Sequence, residues 1–157
     1  MTWNESVKEF IIVAHQEGLR MLMVGGGAVN WHGYRRHSAD VDFWIETTAE
    51  NLRVLVKVLQ RIGLEVEELP PAIHQQLQNV SLKFSPYDLD VELITRFSVD
   101  RSFEAAYADR VLVEVGGEPY YKWSVLSYDD LIVSKLKAGR AKDLLDIQEL
   151  KRIRKER

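Results

Sequence analysis

Asp40 and Asp42 are the residues of this sequence whose type and spacing best suit a metal ion. They flank Val41 at the start of an apolar segment that continues with Phe43 and Ile45. Alternate side chains of a β-strand share a face, so we expect the apolar residues to point to the core and both aspartates to point away. Neighbouring carboxylates repel unless a cation lies between them, and oxygen ligands suit Mg²⁺ or Mn²⁺. The pattern predicts a divalent-metal site; a solvated strand face is the alternative.

A second acidic strand follows at residues 89–95. If it lies beside the first strand, it supplies a third carboxylate, which we expect to be Asp90, with Glu92 in reserve. Two divalent ions roughly 3.5–4 Å apart, held by such acids, activate an attacking hydroxyl and stabilise a leaving phosphate. The two faces of this strand are predicted to carry apolar and acidic residues respectively: Leu89, Val91 and Leu93 on one, and Asp88, Asp90 and Glu92 on the other.

Three glycines, Gly25-Gly26-Gly27, separate an apolar segment at 20–24 from a predicted helix at 28–32. Backbone N–H groups at such a position favour a bound phosphate. No Gly-Lys-Ser/Thr sequence follows, so this is not a Walker A loop. The segment predicts a phosphate-binding turn beside the metal site, with a plain tight turn as the alternative.

The elements that must position these residues are readable from periodicity. Apolar residues at spacings of three and four predict helices, and alternating or continuous apolar runs predict strands. The order predicts a mixed α/β (α+β) sheet covered by helices, in one domain over 1–157, with a core at about 20–126 and C-terminal helices at about 127–155. The predicted helices are 5–18, 28–32, 49–63, 103–108, 128–138 and 140–155; the predicted strands are 20–24, 41–45, 81–84, 89–95, 111–115 and 120–123; Ser85-Pro86-Tyr87-Asp88 and Gly116-Gly117 are predicted hairpin turns, and Pro70-Pro71 a break.

Composition excludes several classes of site. The 157 residues include no cysteine, which rules out disulfides and thiolate zinc sites. No apolar stretch approaches the roughly 20 residues that span a bilayer, and the first residues lack a secretory pattern, so we expect a cytoplasmic protein with no membrane partner. The net charge is −3, yet residues 135–157 carry nine Lys and Arg against four acids. That tail is either a solvated helix face or an RNA-binding surface.

Together these motifs resemble the DNA polymerase β-like nucleotidyltransferases, most closely the small bacterial abortive-infection toxins of the AbiEii-like branch. The resemblance covers about residues 20–152. It is carried at the front by Val24-Gly25-Gly26-Gly27-Ala28, His32-Gly33-Tyr34, Arg36, Ser38 and Asp40-Val41-Asp42, and at the tail by Asp130-Leu131-Ile132, Lys135, Gly139-Arg140, Lys142-Asp143 and Asp146.

The resemblance implies a role for each matching residue. Asp40 and Asp42 would bind Mg²⁺ or Mn²⁺, and Asp90 would be the third carboxylate and the base toward the acceptor. The remaining positions would contact the triphosphate or lie near it: Gly25, Gly26, Arg36, Ser38, Lys135 and Arg140. Many active members of the superfamily carry Gly-Ser in the glycine turn, where Gly26 or Gly27 stands here.

The expected activity is transfer of a nucleoside monophosphate from a nucleoside triphosphate to a hydroxyl, with release of pyrophosphate. Such chemistry needs positioning and charge neutralisation more than covalent catalysis. The acceptor is open between a protein, an RNA and a small molecule, and a toxin of this branch would require an antitoxin partner. Two alternatives stand beside this activity: a non-catalytic nucleotide- or partner-binding module, and RNA binding through the basic tail.

Overall fold

The computed structural model describes residues 4–38, 40–84 and 90–156. The predicted turn at 85–88, together with Asp88 and Leu89 of the acidic strand, lies outside these residues. The described elements, in chain order, are α1 (Glu5–Glu17), β1 (Met21–Val24), α2 (Gly25–Trp31), β2 (Asp40–Ile45), α3 (Ala49–Arg61), α4 (Pro71–His74), β3 (Val80–Leu82), β4 (Asp90–Ile94), α5 (Phe103–Ala108), β5 (Val111–Val115), β6 (Tyr121–Val125), α6 (Tyr128–Ala138) and α7 (Ala141–Lys155).

The strands form one mixed sheet in the order β3-β4-β2-β1-β6-β5. β1 runs antiparallel to β2 and parallel to β6. β2 runs parallel to β4, and β3 and β5 pair antiparallel at the two edges. The predicted mixed α/β architecture is confirmed, and the two acidic strands are neighbours, which is the condition on which a shared acidic site depends.

One face of the sheet packs against α1 and α3 to form the core. Val41, Phe43 and Ile45 are buried on this face, as their alternation predicts. Phe10 of α1 meets Phe43 edge to face, with 6.0 Å between ring centroids. Burying each such side chain contributes roughly 1.5–3 kcal/mol, which fixes β2 with its odd-numbered residues inward and its aspartates outward.

Asn51, buried at the start of α3, ties the beginning of β1 to the end of β2. Its side-chain amide donates hydrogen bonds to the carbonyls of Arg20 (3.0 Å) and Glu46 (2.7 Å). Its side-chain oxygen accepts a hydrogen bond from the Arg20 backbone N–H at 2.9 Å. Because a buried amide left without these partners would be costly, Asn51 helps hold the register that places Val24 opposite Asp42.

Several boundaries differ from the predicted ones, and two of the differences have a clear local cause. α2 begins at Gly25 rather than at residue 28, so the glycines form its first turn instead of preceding it. Gly25 has a φ of 59°, a value that glycine adopts readily and that lets the strand turn directly into the helix. Pro71, predicted within a break, is the first residue of α4, a position where its missing N–H is harmless.

Candidate active site

Four carboxylates of β2 and β4 lie on the sheet face opposite the core; we call Asp40, Asp42, Asp90 and Glu92 the acidic face. The parallel register sets Asp40 beside Asp90 and Asp42 beside Glu92. The edge strand β3 extends these rows. Ser81 pairs with Glu92 across the antiparallel register, and the Lys83 ammonium lies 3.5 Å from the Asp90 carboxylate. The sequence predicted the shared face, and the register adds that Glu92, rather than Asp90, is the lateral neighbour of Asp42.

Asp42 is the carboxylate that this arrangement perturbs. Burial, together with the negative charges of Asp40 and Glu92, raises its pKa from 3.8 to about 6. The positive charges of Lys135 and Lys142 act against this rise. Asp42 therefore lies within electrostatic reach of two acids of the acidic face and of two lysines of the C-terminal helices.

The glycine turn packs directly against these groups. A Cβ atom on Gly25 would lie 2.7 Å from Oδ2 of Asp42, and one on Gly26 would lie 2.5 Å from Oγ of Ser38 and 3.4 Å from Nη1 of Arg36. The Ser38 hydroxyl donates a hydrogen bond to the Asp40 carbonyl at 2.7 Å. The structure thus brings together Gly25, Gly26, Arg36, Ser38 and Asp42, with no room for a side chain on the turn.

A cluster of charged side chains joins the segment before β2 to the C-terminal helices. We call Arg36, Lys135, Arg140, Asp143 and Asp146 the buried ion cluster. Arg36 donates two hydrogen bonds to the Asp146 carboxylate, at 2.8 and 2.9 Å. The Lys135 ammonium lies 3.0 Å from Asp146 and 3.3 Å from Asp143, and Arg140 Nε lies 2.6 Å from Asp143. Two carboxylates are therefore shared among three cations.

Asp143 is fully buried, and its environment favours the charged form. Burial alone would raise its pKa, but hydrogen bonds from Arg140 and Lys135 outweigh burial and lower the pKa to about 2. Asp146 is 1 % exposed. Each of the two buried carboxylates therefore has at least two cationic contacts.

The two phosphate-binding candidates of the tail occupy different positions in this cluster. Lys135 is only 6 % exposed, and its ammonium is shared by two aspartates. The Arg140 side chain is 60 % exposed and contacts Asp143 from the solvent side. Both remain predictions as phosphate ligands.

The burial of Asp143 and Asp146 was not predicted from the sequence. A signal was present. The two aspartates share one face of α7 with the buried residues Ile147 and Leu150, at spacings of three, four and seven. Acidic residues within an apolar stripe need buried cationic partners, which Arg36 and Lys135 supply from other elements.

The donor chemistry of the acidic face fits a divalent cation. Asp40 and Asp42 offer carboxylate oxygens from one strand, and the burial and repulsion that raise the pKa of Asp42 are what a bound cation would relieve. Within residues 4–38, 40–84 and 90–156, no three His, Asp or Glu side chains are grouped closely enough, as placed, to hold one ion between them. The two aspartates are therefore the primary ligands to test, and Asp90 and Glu92 are candidates for a third.

The accessible part of the acidic face ends at Trp44. It follows Asp42 by two residues on the same side of β2, and it is buried against Phe97 and Phe103, with ring centroids 5.4 and 5.1 Å away. The accessible stretch is therefore limited to the first two rows of β2 and β4.

A comparison with protein families identifies the kind of protein that carries this site. Residues 2–155 match the family described as "Nucleotidyltransferase of unknown function (DUF6036)". The chain belongs to this nucleotidyltransferase family. The match confirms the nucleotidyltransferase part of the resemblance and is silent on the toxin branch. No curated protein matches the chain, and no helix of the described residues has the length and apolar character to cross a membrane.

Proposed function

We propose that this protein is a metal-dependent nucleotidyltransferase that moves a nucleoside monophosphate from a nucleoside triphosphate to a hydroxyl group. The observation that carries the proposal is the contact between the glycine turn and Asp42, where an added Cβ atom would lie 2.7 Å from the carboxylate. A triphosphate bound against the backbone of Gly25 and Gly26 would lie next to Asp40 and Asp42, the proposed metal ligands.

Each group of the site has a role in this proposal. Asp40 and Asp42 hold Mg²⁺ or Mn²⁺, which supplies charge neutralisation at the phosphates when bound. Glu92 lies beside Asp42 and Asp90 beside Asp40, so either carboxylate can accept the proton of the acceptor hydroxyl. Asp90 also lies within 3.5 Å of Lys83, whereas Glu92 is among the groups that raise the pKa of Asp42. Comparing the turnover of Glu92→Gln with that of Asp90→Asn shows which carboxylate is the general base.

Positively charged side chains near Asp42 and the glycine turn would balance the negative charge of the triphosphate. Lys135 and Lys142 act electrostatically on Asp42, and Arg36 lies beside Gly26. We propose that Arg36, Ser38 and Lys135 bind or face the triphosphate and that Arg140 lies at the rim. Charge-assisted hydrogen bonds of this kind are roughly twice as strong as neutral ones.

The test is transfer of label. The purified protein is incubated with each α-labelled nucleoside triphosphate, Mg²⁺ or Mn²⁺ and a cell extract, and digestion with protease or ribonuclease then assigns the labelled acceptor to protein or RNA. We expect transfer by the wild type and by Glu9→Gln, an exposed acid on α1, and a loss of at least about 100-fold for Asp42→Asn. Binding without transfer, under every triphosphate and ion, would instead indicate a non-catalytic module.

A toxin role is a further part of the proposal, supported by the resemblance to the AbiEii-like branch. A toxin that modifies a host component would arrest growth when expressed alone and would require an antitoxin partner. Induced expression of wild type against Asp42→Asn tests this directly. Equal growth of both strains, with both proteins present at equal levels, would remove the toxin role and leave the transferase activity to be judged by label transfer.

A further inference from the structure

Ser81 lies in the same row of the sheet as two carboxylates of the acidic face. The antiparallel register pairs Ser81 with Glu92, and the parallel register pairs Glu92 with Asp42. Residues directly opposite each other share a sheet face. Adjacent strands are about 4.8 Å apart, so the hydroxyl of Ser81 belongs to a backbone position about 10 Å from that of Asp42, on the accessible side of the sheet.

The Ser81 hydroxyl points its proton at a carboxylate. Its Oγ donates a hydrogen bond to Oε2 of Glu92 at 2.5 Å, the length of a charge-assisted O–H···O⁻ bond. The Ser38 hydroxyl, which is also near the glycine turn, donates to a backbone carbonyl instead. Ser81 is therefore a hydroxyl of the described chain with a candidate general base already in place.

The position of Ser81 also gives it access and freedom to move. Residue 81 is exposed. It is the central residue of the three-residue edge strand β3, which pairs with β4 on one side only. A short edge strand yields more easily than a central one, so its hydroxyl can approach a phosphate bound at Asp42.

We propose that Ser81 is an acceptor for the protein's own nucleotidyl transfer, an inference that rests on the proposed function. Oγ of Ser81 attacks the α-phosphorus of the nucleoside triphosphate, and a new O–P bond forms as the bond from that phosphorus to the pyrophosphate oxygen breaks. The hydroxyl proton passes to Glu92, and pyrophosphate leaves. The product carries a nucleoside monophosphate on Ser81 through a phosphodiester.

A nucleotide attached to Ser81 is expected to slow the protein's own transferase activity. The nucleotide on Ser81 lies over Glu92 and beside Asp42, where the next triphosphate would bind. It also removes the hydroxyl that donates to Glu92. The modified protein is therefore expected to transfer label to other acceptors at least about tenfold more slowly, because the attached nucleotide keeps an acceptor hydroxyl away from Glu92 and a positioned general base contributes about 10²–10⁴-fold.

The experiment uses the purified full chain without extract. Wild type is incubated with each nucleoside triphosphate and Mg²⁺ or Mn²⁺, and its intact mass is measured before and after. We expect a gain of one nucleoside monophosphate, located on Ser81 by fragment mass spectrometry. The mass of the protein as isolated from expressing cells gives a second readout that does not depend on added metal.

Matched variants test whether the added mass depends on the Ser81 hydroxyl and on Glu92. Ser81→Ala is expected to lose the added mass, and Ser81→Thr, which keeps a hydroxyl on the strand, is expected to retain it. Ser98→Ala, which removes an exposed hydroxyl beyond the far end of β4, should behave as wild type. Glu92→Gln should slow the gain by about 100-fold. Melting temperatures confirm that each variant is folded.

The failures of the two proposals are distinguishable. An adduct on another residue, or an unchanged gain in Ser81→Ala, overturns the assignment of Ser81. A wild type that labels acceptors in an extract but never gains mass overturns self-modification and leaves the proposed function standing. No label in either preparation overturns both.

Discussion

At the scale of single residues, Asp42 occupies an environment that opposes its ionisation, and this environment suits the proposed chemistry better than it suits stability. It is partly buried beside Asp40 and Glu92, and the glycine turn leaves no space between Gly25 and its carboxylate. A carboxylate in such a place is poorly stabilised as an ion, which a bound cation would relieve. Strongly perturbed pKa values of this kind cluster at functional sites.

Asp42→Asn is expected to stabilise the metal-free protein at neutral pH. The folded-state pKa of about 6 lies above the ordinary value of 3.8, so ionised Asp42 opposes folding by about 3 kcal/mol above pH 6. Asp42 is protonated in both the folded and the unfolded state only well below pH 3.8, so the advantage of the variant should be small at pH 4 and vanish at lower pH. Urea unfolding at pH 4, 6 and 8, with a chelator present, measures this; a constant difference across the series would show that Asp42 is not perturbed.

The sequence predicted the direction of each acidic side chain but not its neighbour. Alternation along β2 follows from local periodicity, so Asp40 and Asp42 could be assigned to one face from six residues of sequence. The pairing of Asp42 with Glu92 depends on a register between strands joined by a long crossover. In that register the buried residues Phe43 and Leu93 lie opposite each other, and no local pattern records such a pairing.

At the scale of elements, the hairpin of α6 and α7 is attached to the segment before β2 by the buried ion cluster. Arg36 reaches Asp146, and Lys135 joins Asp146 to Asp143. Helix boundaries here were predicted well because Ser127 and Gly139 cap α6 as their residue types suggest. The contacts between the hairpin and Arg36 were not predicted, since they depend on how the completed helices pack.

Asp146→Asn is expected to destabilise the fold by about 3–5 kcal/mol, because it leaves Arg36 with a neutral partner and Lys135 with Asp143 alone in a buried place. The matched control is Glu149→Gln on the same helix, whose exposed pair with Arg152 contributes about 0–1 kcal/mol. Thermal or urea unfolding at pH 7 measures both. Similar losses for the two variants would contradict a special role for the buried ion cluster.

Lys135→Ala is expected to weaken triphosphate binding by about 1.5–3 kcal/mol, the range for a hydrogen bond to a charged group. Titration calorimetry with Mg²⁺ and a non-hydrolysable triphosphate measures the affinity, below the melting temperature of each variant. Lys137→Ala is the control, since Lys137 pairs with Asp100 on the surface. Unchanged affinity in Lys135→Ala would leave Lys135 as a structural member of the ion cluster alone.

At the scale of the whole molecule, the site is made from both ends of the chain. The net charge of −3 hides a local separation, with acids on β2 and β4 and cations on α6 and α7. The sequence predicted the mixed sheet because helix and strand periods alternate along it. It could not predict the strand order, since β6 joins β1 across most of the chain, through the pair Met23 and Val125.

Mg²⁺ or Mn²⁺ is expected to raise the melting temperature of the wild type and to raise that of Asp42→Asn less. An ion at 100 times its dissociation constant stabilises the folded state by about 2.7 kcal/mol, or roughly 5–10 °C for a protein of this size. Scanning fluorimetry with and without the ion, at equal ionic strength, measures the shift. An equal rise in both proteins would locate the ion away from Asp42.

The pair between Arg36 and Asp146 also has a consequence for biosynthesis. The two residues are 110 positions apart, and a ribosome adding about 5–20 residues per second needs about 5–20 s to pass from one to the other. During that interval the nascent chain already exposes Asp40, Asp42 and the glycine turn, but the cations of α6 and α7 do not yet exist. A chain still on the ribosome therefore has its candidate metal ligands before its candidate phosphate-facing charges, and we expect the proposed nucleotidyl transfer to begin only once Asp146 has emerged.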